Sequence, residues 1–168
     1  MDDMLELAVK ERRLELITQR VGFALWQVQE FEGVAATYFV LVTQARKGMG
    51  LTEGTTFLEA AQARTLGATF HHIKRAGLLS ADLEARFGKL IVERNWLVHD
   101  SRRDSRSAVH NDTSMERLVA RLDAIAEVSL ALLIELGGVA EQFARQNSVS
   151  AEYIRKKAAE FLAEWHDS

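Results

Sequence analysis

The sequence predicts an all-α protein, an antiparallel four-helix up-and-down bundle with two long helices and a short C-terminal fifth helix. Three observations predict it. The 168 residues contain no proline, so nothing forbids long uninterrupted helices. Two long stretches carry apolar residues at alternating steps of three and four, the spacing that lines up one helix face. Between them, capping and stop residues punctuate shorter amphipathic segments, and the 48% of hydrophobic residues is enough to fill one core. One domain over residues 1–168 is expected, with the bundle at about 4–146 and the last helix at about 150–165.

The first helix is predicted over residues 4–47, along Leu14, Ile17, Val21, Ala24, Val28, Phe31, Ala35, Tyr38, Val42 and Ala45. Leu25, Trp26 and Phe39 widen this stripe beyond a two-stranded seam, which favours bundle packing over an isolated coiled coil. Gly22 and Gly33 are positions where it could kink. Unbroken, it would be on the order of 65 Å long, more than a compact domain needs, so part of it is expected to project.

After Gly48 and Gly50, Thr52 or Thr55 is expected to cap a second helix that reaches Arg75 and stops at Gly77. Its apolar face comprises Phe57, Leu58, Ala61, Leu66 and Phe70. Ser80 caps a third helix with Leu83, Phe87, Leu90 and Ile91 inward and Glu84, Arg86 and Lys89 outward. Residues 100–114 are polar throughout and read as a loop. A fourth helix is expected over 115–146, through Leu118, Leu122, Ile125, Ser129, Leu132, Leu136, Val139 and Phe143, packed beside the first. The fifth carries Tyr153, Ile154, Ala158, Phe161, Leu162 and Trp165, opposite Arg155, Lys156 and Lys157.

Composition narrows the function classes. With no cysteine, disulfides, cysteine-ligated zinc and thiol chemistry are excluded, which fits a reducing compartment. The N-terminus, MDDMLELAVKERR, is unlike a secretory signal, and no apolar run approaches a membrane span; a soluble, cytoplasmic protein is expected. A net charge of −3 argues against a broad non-specific nucleic-acid surface and leaves room for a small basic site. His71 and His72 are adjacent, hence on different helix faces, and no carboxylate cluster accompanies them, so neither a metal nor a cofactor is expected.

The chemistry is concentrated in residues 90–100, LIVERNWLVHD. Arg94 and Asn95 are neighbours, His99 follows, and Trp96, Leu97 and Val98 supply apolar filling between. A guanidinium, an amide and an imidazole delivered together suit the handling of a phosphodiester. Just beyond, Arg102, Arg103 and Arg106 face only Asp104 in the stretch 101–107, a concentrated positive segment and a candidate for RNA contact.

Helices arranged this way, with an Arg-Asn-Trp-Leu-Val-His run toward the end of the third, resemble the HEPN domain family. Its signature is an arginine, a polar residue beside it, and a histidine four to six residues later. The resemblance implies the four-helix bundle and a homodimer. It also implies metal-independent RNA endonuclease activity, often that of a toxin neutralised by a nucleotidyltransferase-like antitoxin partner. Residue by residue it marks Arg94, Asn95 and His99 as catalytic. The loose form of the signature also fits Arg64 with His71 and Arg103 with His110, but there the adjacent asparagine and the apolar spacer are missing.

RNA cleavage without a metal needs a group to take the 2′-hydroxyl proton, a group to protonate the leaving 5′-oxygen, and positive charge between them. His99 can transfer protons near neutral pH, and Arg94 stays charged and offers a fork of donors. On an ideal helix Asn95 and His99 share a face, whereas Arg94 lies about 140° from His99. Either the helix unwinds before His99 or two chains complete the site across a two-fold axis. A second function class stays open, a catalytically silent helical module that binds a nucleotide or a partner protein. In a purely structural reading Arg94 pairs with an acid on another helix, Asn95 caps, and His99 sits where the helix dipole favours a cation.

Overall fold

The structure, a computed structural model, describes residues 2–46, 48–147 and the single positions 152, 156, 159, 160 and 163. The described residues form six helices and no strand: α1 (Asp2–Thr43), α2 (Leu51–Gln62), α3 (Leu66–Arg75), α4 (Ala81–His99), α5 (Ser101–His110) and α6 (Asp112–Gln146). No helix among them is long and apolar enough to cross a membrane. The expected C-terminal helix, with Tyr153, Ile154, Phe161 and Trp165, lies outside the described residues apart from the five single positions, which are helical and exposed.

The all-helical class holds, and the two long seams form the core. In α1, Ile17, Ala24, Val28, Phe31, Ala35 and Tyr38 are buried, and the helix runs unbroken through Gly22 and Gly33 for about 63 Å. Its first turns project: Met4, Leu5, Leu7 and Leu14 are exposed. Trp26 departs from expectation, because it faces solvent instead of widening the seam. In α6, Leu118, Leu122, Ile125, Leu132 and Leu136 are buried, and Ser129 among them donates to the Ile125 carbonyl at 2.7 Å, so its hydroxyl is satisfied locally. Tyr38 is buried too; its hydroxyl donates to the Leu78 carbonyl at 3.2 Å, and burial pushes the phenol up from its ordinary value.

The antiparallel course expected of the two long helices is corrected. Arg13 reaches Val109 and Asp112, and seven residues later Arg20 reaches Asp123, so α1 and α6 climb together and run parallel. Between α4 and α6 the order falls instead, Arg86 with Glu135 and Arg121 with Glu93, so α4 descends between two ascending helices. With three long passes, the first and last must point the same way. The single second helix expected to reach Arg75 is broken in two at residues 63–65, where the Thr65 hydroxyl accepts the Ala68 amide at 3.3 Å and starts α3. The start of α2 is capped by neither Thr52 nor Thr55; Gly50 holds that position without a side-chain bond. Gly77, at φ +68°, ends α3 in the left-handed conformation as expected.

The second correction is α5. Residues 100–114 were expected to be a loop, yet Ser101–His110 is helical. The apolar steps of α4, Leu83, Phe87, Leu90 and Leu97, continue through buried Ser101 and Ala108 with half-buried Ser105 between them. Ser101 and Ser105 return their hydroxyls to the Leu97 and Ser101 carbonyls at 2.6 and 2.8 Å. Small residues thus keep the seam going where large apolar ones stop, and α5 packs closely against α6.

Candidate functional site

The helix that carries the motif is fixed at both ends and on two sides. Ser80 caps α4 by accepting the Leu83 amide at 3.2 Å, and Asp82 and Glu84 in the first turn favour the helix dipole. Arg86 bonds to Glu135 and Asp82, and these bonds push its guanidinium further up from its ordinary value. At the far end the Asp100 amide still bonds to the Trp96 carbonyl at 2.8 Å, so the helix stays regular through His99. Unwinding before His99 is therefore not how the three residues meet. Within one chain Arg94 and His99 remain about 140° apart.

The motif occupies one outward arc. At 100° per residue the order around α4 is Arg94, Val98, Asn95, His99 and Val92, spanning about 160°. Asn95 and His99 project into solvent and make no hydrogen bond to another described residue. Val92 and Val98, beside them, are 65% and 46% exposed. Two apolar side chains are thus left bare on either side of an amide and an imidazole.

Arg94 sits differently. It takes the seam position between Leu90 and Leu97, where the heptad would place an apolar residue, and its side chain is 26% exposed. Its Nε donates to Glu32 Oε1 of α1 at 2.9 Å. The pairing expected of a merely structural arginine is present. A charge at this position still costs desolvation that a leucine would not. Asn95 caps nothing, since Asp100 ends α4; His99 does occupy the last turn.

The arginines read as a loop stand on α5. Arg102 and Arg106 are exposed, four residues apart on one face, and continue the stripe of His99 at helical spacing. Arg103 turns toward Asp100 and Asp104, at 3.7 and 3.8 Å. The other matches to the loose signature are not brought to any such arc. Arg64 lies over the Phe39 ring at the α2–α3 turn, and His71 and His72 follow on exposed positions of α3.

Sequence reasoning missed the network that holds α4 in place. Arg121 of α6 forks onto Glu93, with Nε at 2.7 Å and Nη2 at 3.2 Å, while its guanidinium lies 3.6 Å from the centre of the Trp96 ring. Trp96 donates from Nε1 to Asp104 of α5 at 3.0 Å. Glu93 and Trp96 alternate with the motif residues, so these neighbours lock the helix while Asn95 and His99 stay free of bonds to other described residues. Glu32 and Arg121 are 62 and 28 residues from their partners, separations that no local spacing reveals. No protein-family model matches the sequence, and no match to it is found among curated proteins or solved structures.

Proposed function

We propose that this chain is a HEPN-type, metal-independent ribonuclease that works as a symmetric dimer, with Arg94, Asn95 and His99 as its catalytic residues. The observation that carries the proposal is the outward arc of α4: an unpaired amide and imidazole flanked by bare valines, beside an arginine held at a core position. A second copy seated on Val92 and Val98 would bring two arcs face to face and supply the second proton handler that one chain lacks. One His99 takes the 2′-hydroxyl proton, the 2′-oxygen attacks phosphorus, and the other His99 protonates the departing 5′-oxygen. Arg94 stabilises the phosphorane through the donors not engaged with Glu32, and Asn95 orients imidazole or phosphate. Arg102 and Arg106 extend the site along the RNA strand. A toxin's role, a nucleotidyltransferase-like antitoxin and a cytoplasmic setting belong to the same proposal.

The Arg94–Glu32 pair favours a second reading, a catalytically silent module in which the motif binds a nucleotide or a partner protein. Single-stranded RNA incubated with the protein in chelator separates the two. Cleavage is expected, with 2′,3′-cyclic phosphate ends and no action on DNA, and His99→Ala lowers its rate by about 10² to 10⁴. Arg94→Lys rescues poorly, because a point charge does not replace the fork. A requirement for Mg²⁺, or wild-type cleavage by His99→Ala, rejects the nuclease reading.

A further inference from the structure

On the other side of Glu32 from Arg94 lies a cleft of about 200 Å³ between α1 and the α2–α3 turn. Its floor is made of the smallest side chains available, Gly33, Ala36 and Ala61. A Cβ built on Gly33 would meet nothing within 4 Å, so the space above it is open. Polar residues line both walls: Gln29 and Glu32 from α1, Gln62 from the end of α2, Arg64 from the turn, and Thr69, buried at 3% exposure, from α3. The cleft is below the roughly 300 to 1,000 Å³ of pockets for drug-sized ligands, which suits one flat heterocycle.

The donor set discriminates among heterocycles. Glu32 uses Oε1 for Arg94, and among the described residues Oε2 accepts no hydrogen bond. A carboxylate only accepts, so its complement is a ligand edge with adjacent N–H groups. Among the four RNA bases, guanine alone presents two such donors side by side, at N1 and N2. Arg64 only donates, and guanine offers O6 and N7 as acceptors to a guanidinium. The Phe39 ring, 4.9 Å from the Arg64 guanidinium carbon, helps hold that group at the mouth of the turn.

We infer that this cleft is a guanine-recognition subsite, which rests on the ribonuclease reading for its role and sets the base beside the cleaved phosphate. Glu32 joins the two functions: one oxygen orients Arg94 of the motif and the other reads the base. RNA would then be cleaved next to guanine. Arg64 and Glu32 set the specificity, and Gly33 is required to be glycine because any side chain there enters the space of the base.

Titrations of the full chain with 5′-GMP, AMP, CMP and UMP, followed by amide chemical shifts, test the inference without requiring cleavage. GMP is expected to bind about tenfold or more tightly than the others and to shift the Gln62 and Thr69 amides. Gly33→Leu, which fills the cleft, is expected to abolish GMP binding while its thermal midpoint stays at or above that of wild type. Arg64→Ala should remove the preference for GMP. Equal binding of the four nucleotides, no binding at millimolar concentration, or unchanged GMP binding in Gly33→Leu overturns the inference. The failures are distinguishable: base-indifferent cleavage that Gly33→Leu retains removes the subsite and leaves the nuclease. GMP binding without cleavage removes the nuclease and leaves the subsite.

Discussion

The inner and outer faces of α4 are built by opposite rules. Inward, Leu83, Phe87, Leu90 and Leu97 are no more than 3% exposed, and Phe87 meets Phe31 and Phe70 with ring centres 4.7 Å away in each case. Outward, Val92, Val98, Asn95 and His99 touch little, although two of them are apolar. The inner face is what the fold requires, and any sequence with that spacing and volume would supply it. The outer face has no such reason, and the proposed dimer is what would give it one. Arg94 belongs to both faces, a charge in the seam of the first and at the edge of the second.

The largest expected effect comes from breaking the inner face. Phe87→Ala removes a ring held between two others and should cost about 3–5 kcal/mol of stability, measured by denaturant unfolding. Any cleavage lost in this variant should track the unfolded fraction, unlike the loss in His99→Ala, which should leave the unfolding midpoint nearly unchanged. A stability loss below about 1 kcal/mol would mean that the Phe31, Phe70 and Phe87 cluster does not anchor α4.

A smaller effect is expected where the inner face runs on into α5. Ala108 is fully buried in the continued seam, so Ala108→Leu overpacks the contact with α6 and should destabilise by about 1–3 kcal/mol. A surface loop would accept the same leucine at almost no cost, and an unchanged midpoint would therefore restore the loop reading of residues 100–114.

These two sites also show what the sequence made readable. The core of α1 and α6 was readable because its seams are large and apolar, and the cap at Ser80 and the stop at Gly77 because capping chemistry is local. α5 was not, since its buried face is serine and alanine, and hydropathy does not distinguish these from a solvated turn. The steps from Leu97 to Ser101, Ser105 and Ala108 were the available signal. The parallel course of α1 and α6 was hidden as well, because it depends on the second helix breaking at Thr65, and nothing local sets that threonine apart from Thr55, Thr56 and Thr69 as a capping residue. Of the candidate site, the three motif residues and their shared helix were readable. Glu32 and Arg121 were not, because they come from other helices and form no motif with it.

The smallest expected effect on stability is at Val92, and it sharpens the comparison most. Val92 is 65% exposed in the single chain, so Val92→Asp should change the unfolding free energy of the monomer by no more than about 0.5 kcal/mol. If the outer arc is where two copies meet, the same change sets carboxylates against each other across the two-fold axis and removes apolar area from a small interface. Light scattering at micromolar concentration should then show wild type as a dimer and Val92→Asp as a monomer with the same helical content. RNA cleavage should fall with the dimer and return in part as protein concentration rises. A wild-type monomer at that concentration would remove the dimeric mechanism. A Val92→Asp dimer would move the interface away from α4 and leave the bare valines beside His99 without a partner of their own kind.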